Sequence, residues 1–114
     1  MKANTRDWRR LSAETIADLP ETGAVFEVAN LVRTVQFIGK ASGNLRTRVA
    51  TYAQEDLKWR PVPGGYYFRY ETAAREDEAL DARLAAYRNG HGGQLPAGNS
   101  EALPALRIAA RRAA

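Results

Sequence analysis

Two β-rich runs joined by a four-residue link constrain this chain more than any other feature. In residues 24–29, Val25, Phe26 and Val28 surround Glu27, and in residues 34–38, Val35, Phe37 and Ile38 repeat the same character. Branched and aromatic side chains fit the pleated, half-buried surface of a sheet. Two such runs bridged by Asn30-Leu31-Val32-Arg33 predict a hairpin. The second run ends at Gly39, and Ser42 or Asn44 then supplies the N-cap of a helix over residues 44–57. Leu45, Val49, Tyr52 and Ala53 fall on one face of that helix, while Arg46 and Arg48 lie off it.

Flanking segments read less sharply. Residues 6–18 are polar and weakly helical, with Ser12 placed to cap a short helix over 13–17. The stretch from Lys58 to Gly65 holds two prolines and two glycines and reads as a loop. Residues 66–71 read as a strand with Tyr67, Arg69 and Glu71 on one face and Tyr66, Phe68 and Tyr70 on the other. Thr72 is placed to cap a second long helix over 73–88, striped by Leu80, Leu84 and Tyr87 and ended by Asn89-Gly90. Residues 90–99 are glycine-rich, and Ser100 precedes a basic tail with Arg107, Arg111 and Arg112. The order predicts an α/β (α+β) domain, a small sheet packed by helices on its faces. Residues 1–19 read as an N-terminal helical extension, 20–99 as the domain, and 100–114 as a C-terminal basic helix or tail.

At 114 residues the chain supports one small domain. It has no cysteine, which excludes a disulfide framework and a thiolate metal site. No apolar run approaches the ~20 residues that span a bilayer, and the first residues lack the apolar core of a secretory signal. A cytoplasmic location with no membrane partner is the expectation. Seventeen basic residues against thirteen acidic ones give a net charge of +4, and the pI is near 9.8. Only three of the basic residues are lysine. Arginine forks match phosphate geometry, although a GC-rich genome enriches arginine and alanine together.

The motif Phe37-Ile38-Gly39-Lys40-Ala41, followed by Asn44-Leu45-Arg46-Thr47-Arg48, resembles the second motif of the GIY-YIG nuclease superfamily, Tyr-Ile-Gly-Lys-Ala with Asn-Leu-x-x-Arg. Gly43 looks like a one-residue insertion within it. Ala24-Val25-Phe26 stands where that family carries Gly-Ile-Tyr. The resemblance covers residues 20–99 and implies a GIY-YIG-like domain, a three-stranded antiparallel sheet with flanking helices. It implies Arg48 as the arginine at the scissile phosphate, where a planar cation stabilises developing charge. It implies an acid on the second long helix for one Mg²⁺: Asp81 by one anchoring of the motif, Glu78 by another. It implies Asn99 as the asparagine that follows this helix, with Asn89 the poorer match.

Both catalytic tyrosine positions hold phenylalanine here, Phe26 and Phe37. Phenylalanine keeps the ring and loses the only hydrogen-bonding group, and losing a general base costs on the order of 10²–10⁴ in rate. Tyr66, Tyr67 and Tyr70 are the candidates to replace the missing hydroxyls. The expectation is therefore a nucleic-acid-directed domain that contacts phosphates, DNA first, with weak or no hydrolysis. Lys40, Arg46, Arg48, Lys58, Trp59 and Arg60 are the expected contacts. An active Mg²⁺-dependent endonuclease and a protein-interaction module on the same scaffold are the alternatives, and a companion protein or a second copy is the expected further partner. Blander roles compete: Glu76, Asp77 and Glu78 suit a helix start whatever they bind, Trp59 suits the edge of a core, and His91, the one histidine, suits a solvated loop.

Overall fold

The computed structural model describes residues 8–57 and 64–99. Its elements are β1 (Arg9–Arg10), α1 (Ala13–Ala17), β2 (Ala24–Ala29), β3 (Val35–Ala41), α2 (Leu45–Tyr52), a π-type turn continuing that helix (Ala53–Leu57), β4 (Tyr67–Thr72) and α3 (Glu76–Gly90). The sheet has four strands in the order β1-β4-β2-β3, every neighbouring pair antiparallel. The expected number was three. The extra strand is the short β1, whose Arg9 and Arg10 pair with Phe68 and Tyr67. Two arginines carry no β pattern; β4 recruits them because its outer edge offers backbone groups that need partners.

Of the segment expected to be an N-terminal extension, the described residues 8–19 pack onto the domain. Leu11, Ile16 and Leu19 belong to the buried core. Ser12 caps α1 in a reciprocal box with Thr15, as a Ser at this position favours.

The hairpin of β2 and β3 forms where the sequence places it. Asn30 holds the turn by accepting from the amides of Val32 and Thr34 at 3.1 and 2.9 Å. β2 lies in the middle of the sheet, and all of its residues are buried. The pairing register sorts side chains onto two faces. Phe26 and Val28 share one face with Phe37, Gly39, Phe68 and Tyr70, and α1 and α2 cover it with Ile16, Leu45, Val49 and Tyr52. Burying each of the larger apolar side chains contributes about 1.5–3 kcal/mol. Val25, Glu27, Ile38, Lys40, Arg69 and Glu71 share the other face, against which α3 packs.

Two helix boundaries differ from expectation. α3 starts at Glu76, not after Thr72, which instead completes β4; Arg75 stands at its N-cap without a side-chain cap. The acids of the first turn, Glu76, Asp77 and Glu78, offset the unsatisfied amides through the helix dipole. Asn89 and Gly90 lie inside its last turn rather than beyond it. At α2 the N-cap is Asn44, whose side chain accepts from the amide of Thr47 at 3.0 Å. Gly43 precedes it at φ 94, a left-handed conformation that glycine adopts without a Cβ clash.

Candidate functional site

Phe26 and Phe37 stand on neighbouring strands with ring centroids 5.8 Å apart. Tyr52, one turn beyond Arg48 on α2, closes the group. Its ring stacks on Phe37 at 4.6 Å and meets Phe26 edge-on at 6.1 Å. Gly39 makes this packing feasible. A Cβ there would run into the edge of the Phe37 ring and come within 3.2 Å of Phe26 Cζ. The half-buried Arg48 lies over this aromatic floor, its guanidinium carbon 5.8 Å from the Phe26 centroid and 5.9 Å from that of Tyr52. Cation–π attraction orients the guanidinium without neutralising it. Among the described residues Arg48 makes no ion pair.

A shallow cleft at the β3 edge is lined by Lys40, Ser42, Thr47, Arg48, Thr51 and Glu55. It joins the ends of β3 and α2 and puts two cations and three hydroxyls in one place. The cations differ in state. Lys40 is ion-paired with Asp77 of α3. The Asp77 hydrogen bond holds its ammonium above the ordinary lysine value, with smaller help from the charges of Glu76 and Asp81. Arg46 donates to the Leu19 carbonyl at 3.1 Å and reaches Glu21 at 3.4 Å. Of the expected phosphate contacts within the described residues, Arg48 alone keeps its charge without a carboxylate partner. Lys58, Trp59 and Arg60 lie outside the described residues.

The acids expected to hold a metal are not gathered with Arg48. Glu78 pairs with Arg75 at 3.1 Å, and Asp81 is exposed on α3, the helix packed on the opposite face of the sheet. No group of three His, Cys, Asp or Glu side chains is placed to share a cation among the described residues. Asn99 does come to β3, but as a brace. Its Oδ1 accepts from the Ile38 amide at 2.9 Å and its Nδ2 donates to the Ile38 carbonyl at 2.8 Å. One side-chain amide thus pairs with both outward backbone groups of an edge-strand residue that β2 cannot reach.

Of the three replacement tyrosines, Tyr70 is buried on the Phe26 face beside Phe68, and Tyr66 packs against the same core. Tyr67 points to the other face, between Arg10 and Arg33. His91 stacks on Tyr87 at 3.7 Å, with Nδ1 2.7 Å from the Tyr87 carbonyl, at the end of α3. The carbonyl can only accept, so Nδ1 carries the proton.

Two features escaped sequence reasoning. Tyr52 was read only as a core residue of α2; its spacing of four from Arg48 was the available signal. The second is an ion network under α3. Glu27, 4% exposed, accepts from Arg69 Nε and Arg83 Nη1, both at 2.8 Å, and Arg83 Nη2 donates to Glu71 at 2.8 Å. An acid flanked by Val25, Phe26 and Val28 in a central strand was the clue, because a buried carboxylate needs a paired cation.

One family model, described as a domain of unknown function (DUF7508), matches residues 1–90. No curated protein and no solved structure matches the chain.

Proposed function

The chain belongs to the DUF7508 family, and we propose that it contacts the phosphates of a nucleic acid, DNA first, through Arg48 at the β3 edge, with little or no hydrolysis. The observation that carries this reading is the Arg48 guanidinium, held over Phe26 and Tyr52 and unpaired among the described residues. A structural arginine is normally neutralised by an acid, whereas this one is oriented by rings and keeps its N–H groups for an anion. Ser42, Thr47 and Thr51 line the same cleft and add hydroxyl donors to phosphate oxygens.

Weak hydrolysis follows from the two phenylalanines. Phe26 and Phe37 keep the aromatic packing beneath Arg48 and offer no group that takes a proton from water.

Fluorescence anisotropy with a labelled short duplex and a single strand at low salt tests the reading. Binding should weaken as salt rises, because arginine–phosphate contacts release counterions. Arg48→Glu should abolish most of it. Binding that ignores salt, or none to either probe, would favour the protein-interaction alternative. Mg²⁺-dependent cleavage by the natural chain, lost in Arg48→Ala, would replace the binding reading with the endonuclease one.

A further inference from the structure

A second basic cleft lies on the opposite face of the sheet, between the β2–β3 turn and the last turns of α3. Arg33, Thr34, Arg69, Arg83, Tyr87 and Glu27 are among its lining residues, and its volume is about 650 Å³. Three guanidinium groups line it, of which Arg69 and Arg83 share the carboxylates of Glu27 and Glu71 and Arg33 supplies the excess positive charge. That size suits a small ligand rather than a polymer groove.

We propose that this cleft binds the phosphate group of a small phosphorylated ligand. Two of the cations are fixed in advance. Arg69 and Arg83 both donate to the buried Glu27 at 2.8 Å, so their orientation costs nothing further on binding. The third is Arg33, whose guanidinium lies 3.7 Å from the centre of the Tyr67 ring and donates to the Leu31 carbonyl. Among the described residues Arg33 has no carboxylate partner.

The backbone adds an independent reason. Arg33 has φ 66 and is the one non-glycine residue in the left-handed region among those described. Glycine or asparagine fits such a turn position more readily than a long side chain does. An arginine that accepts this conformation at the mouth of an arginine-lined cleft is placed for its side chain, not for the turn. A planar cation already seated over a ring keeps N–H groups that can meet a phosphate as a fork.

The same strain supplies a clean test. Arg33→Gly removes the guanidinium and relieves the backbone, so its thermal midpoint in chloride should equal or exceed that of the natural chain. Inorganic phosphate and pyrophosphate should raise the midpoint of the natural chain above that in chloride at matched ionic strength. Calorimetric titration of Arg33→Gly should show phosphate bound at least about tenfold more weakly. Arg33→Asn, which also tolerates the left-handed region, should behave alike. The part of the phosphate response that Arg33→Gly removes should be the same size in an Arg48→Ala background, which separates this cleft from the β3-edge site. Equal midpoints in phosphate and chloride, undiminished binding by Arg33→Gly, or an Arg33-dependent part of the response that disappears in the Arg48→Ala background would each overturn the proposal. So would a fall of the chloride midpoint in both Arg33 variants, which would make Arg33 a clamp on Tyr67. Displacement of bound phosphate by a short duplex, dependent on Arg33, would assign the cleft to nucleic-acid backbone and overturn the small-ligand assignment.

Discussion

Phe26 and Phe37 occupy matching places in the pattern but not in the packing. Phe26 is 0% exposed and lies in the central strand, whereas Phe37 is half-buried on the edge strand. A hydroxyl added to Phe26 enters a filled core without a partner, at a cost of about 1–3 kcal/mol. A hydroxyl on Phe37 has a route to water. Denaturant titration should therefore find Phe26→Tyr clearly destabilised and Phe37→Tyr within about 1 kcal/mol of the natural chain. If the missing oxygens limit chemistry, the double variant Phe26→Tyr, Phe37→Tyr should gain metal-dependent nicking of plasmid DNA, provided it folds. Gly39→Ala belongs to the same scale. Its methyl meets the Phe37 ring and forces it off Tyr52, so a loss of about 1–3 kcal/mol is expected.

At the scale of elements, α3 is fastened to the sheet by charge more than by grease. None of its residues is buried, and Leu80, Leu84 and Tyr87 are only half-covered. The Glu27–Arg83–Glu71 bonds and the Lys40–Asp77 pair hold it at two points. Glu27→Ala strands two guanidinium groups against a buried position. Removing one member of a buried pair costs about 3–5 kcal/mol, and the partial exposure of Arg69 and Arg83 brings the expected loss to about 2–4. A double-mutant cycle with Arg83→Ala should show coupling between the two sites. The Lys40–Asp77 tether has a defined pH window. Pairing raises the lysine, so its contribution is complete below the ordinary lysine value and disappears as pH climbs through the raised one. The thermal midpoint difference between the natural chain and Asp77→Asn should accordingly stay constant around neutrality and shrink only in strong alkali, to the share that Asp77 owes to the start of α3.

For the whole molecule, the sheet separates two arginine-lined clefts, with Arg48 on the α2 side and Arg33, beside the paired Arg69 and Arg83, on the α3 side. If Arg48 alone meets backbone phosphate within this region, replacing it should lower the salt dependence of duplex binding by roughly one unit of log K against log salt. Arg33 variants should leave that slope unchanged. What the sequence by itself determined was local. The hairpin, the two long helices and the sorting of β4 side chains to two faces follow from periodicity, turn residues and caps, which act between near neighbours. The strand β1 was not legible, because Arg9 and Arg10 become a strand only when the edge of β4 is beside them. Only the tertiary structure decided which cations are neutralised: Asp77 for Lys40, Glu21 for Arg46, Glu27 for Arg69 and Arg83. It also decided that Asn99 braces Ile38 and that Tyr52 joins Phe26 and Phe37. A side-chain pattern reports which surface of an element is buried, but ion pairing falls off over a few ångströms, so it depends on what the fold brings across from residues tens of positions away.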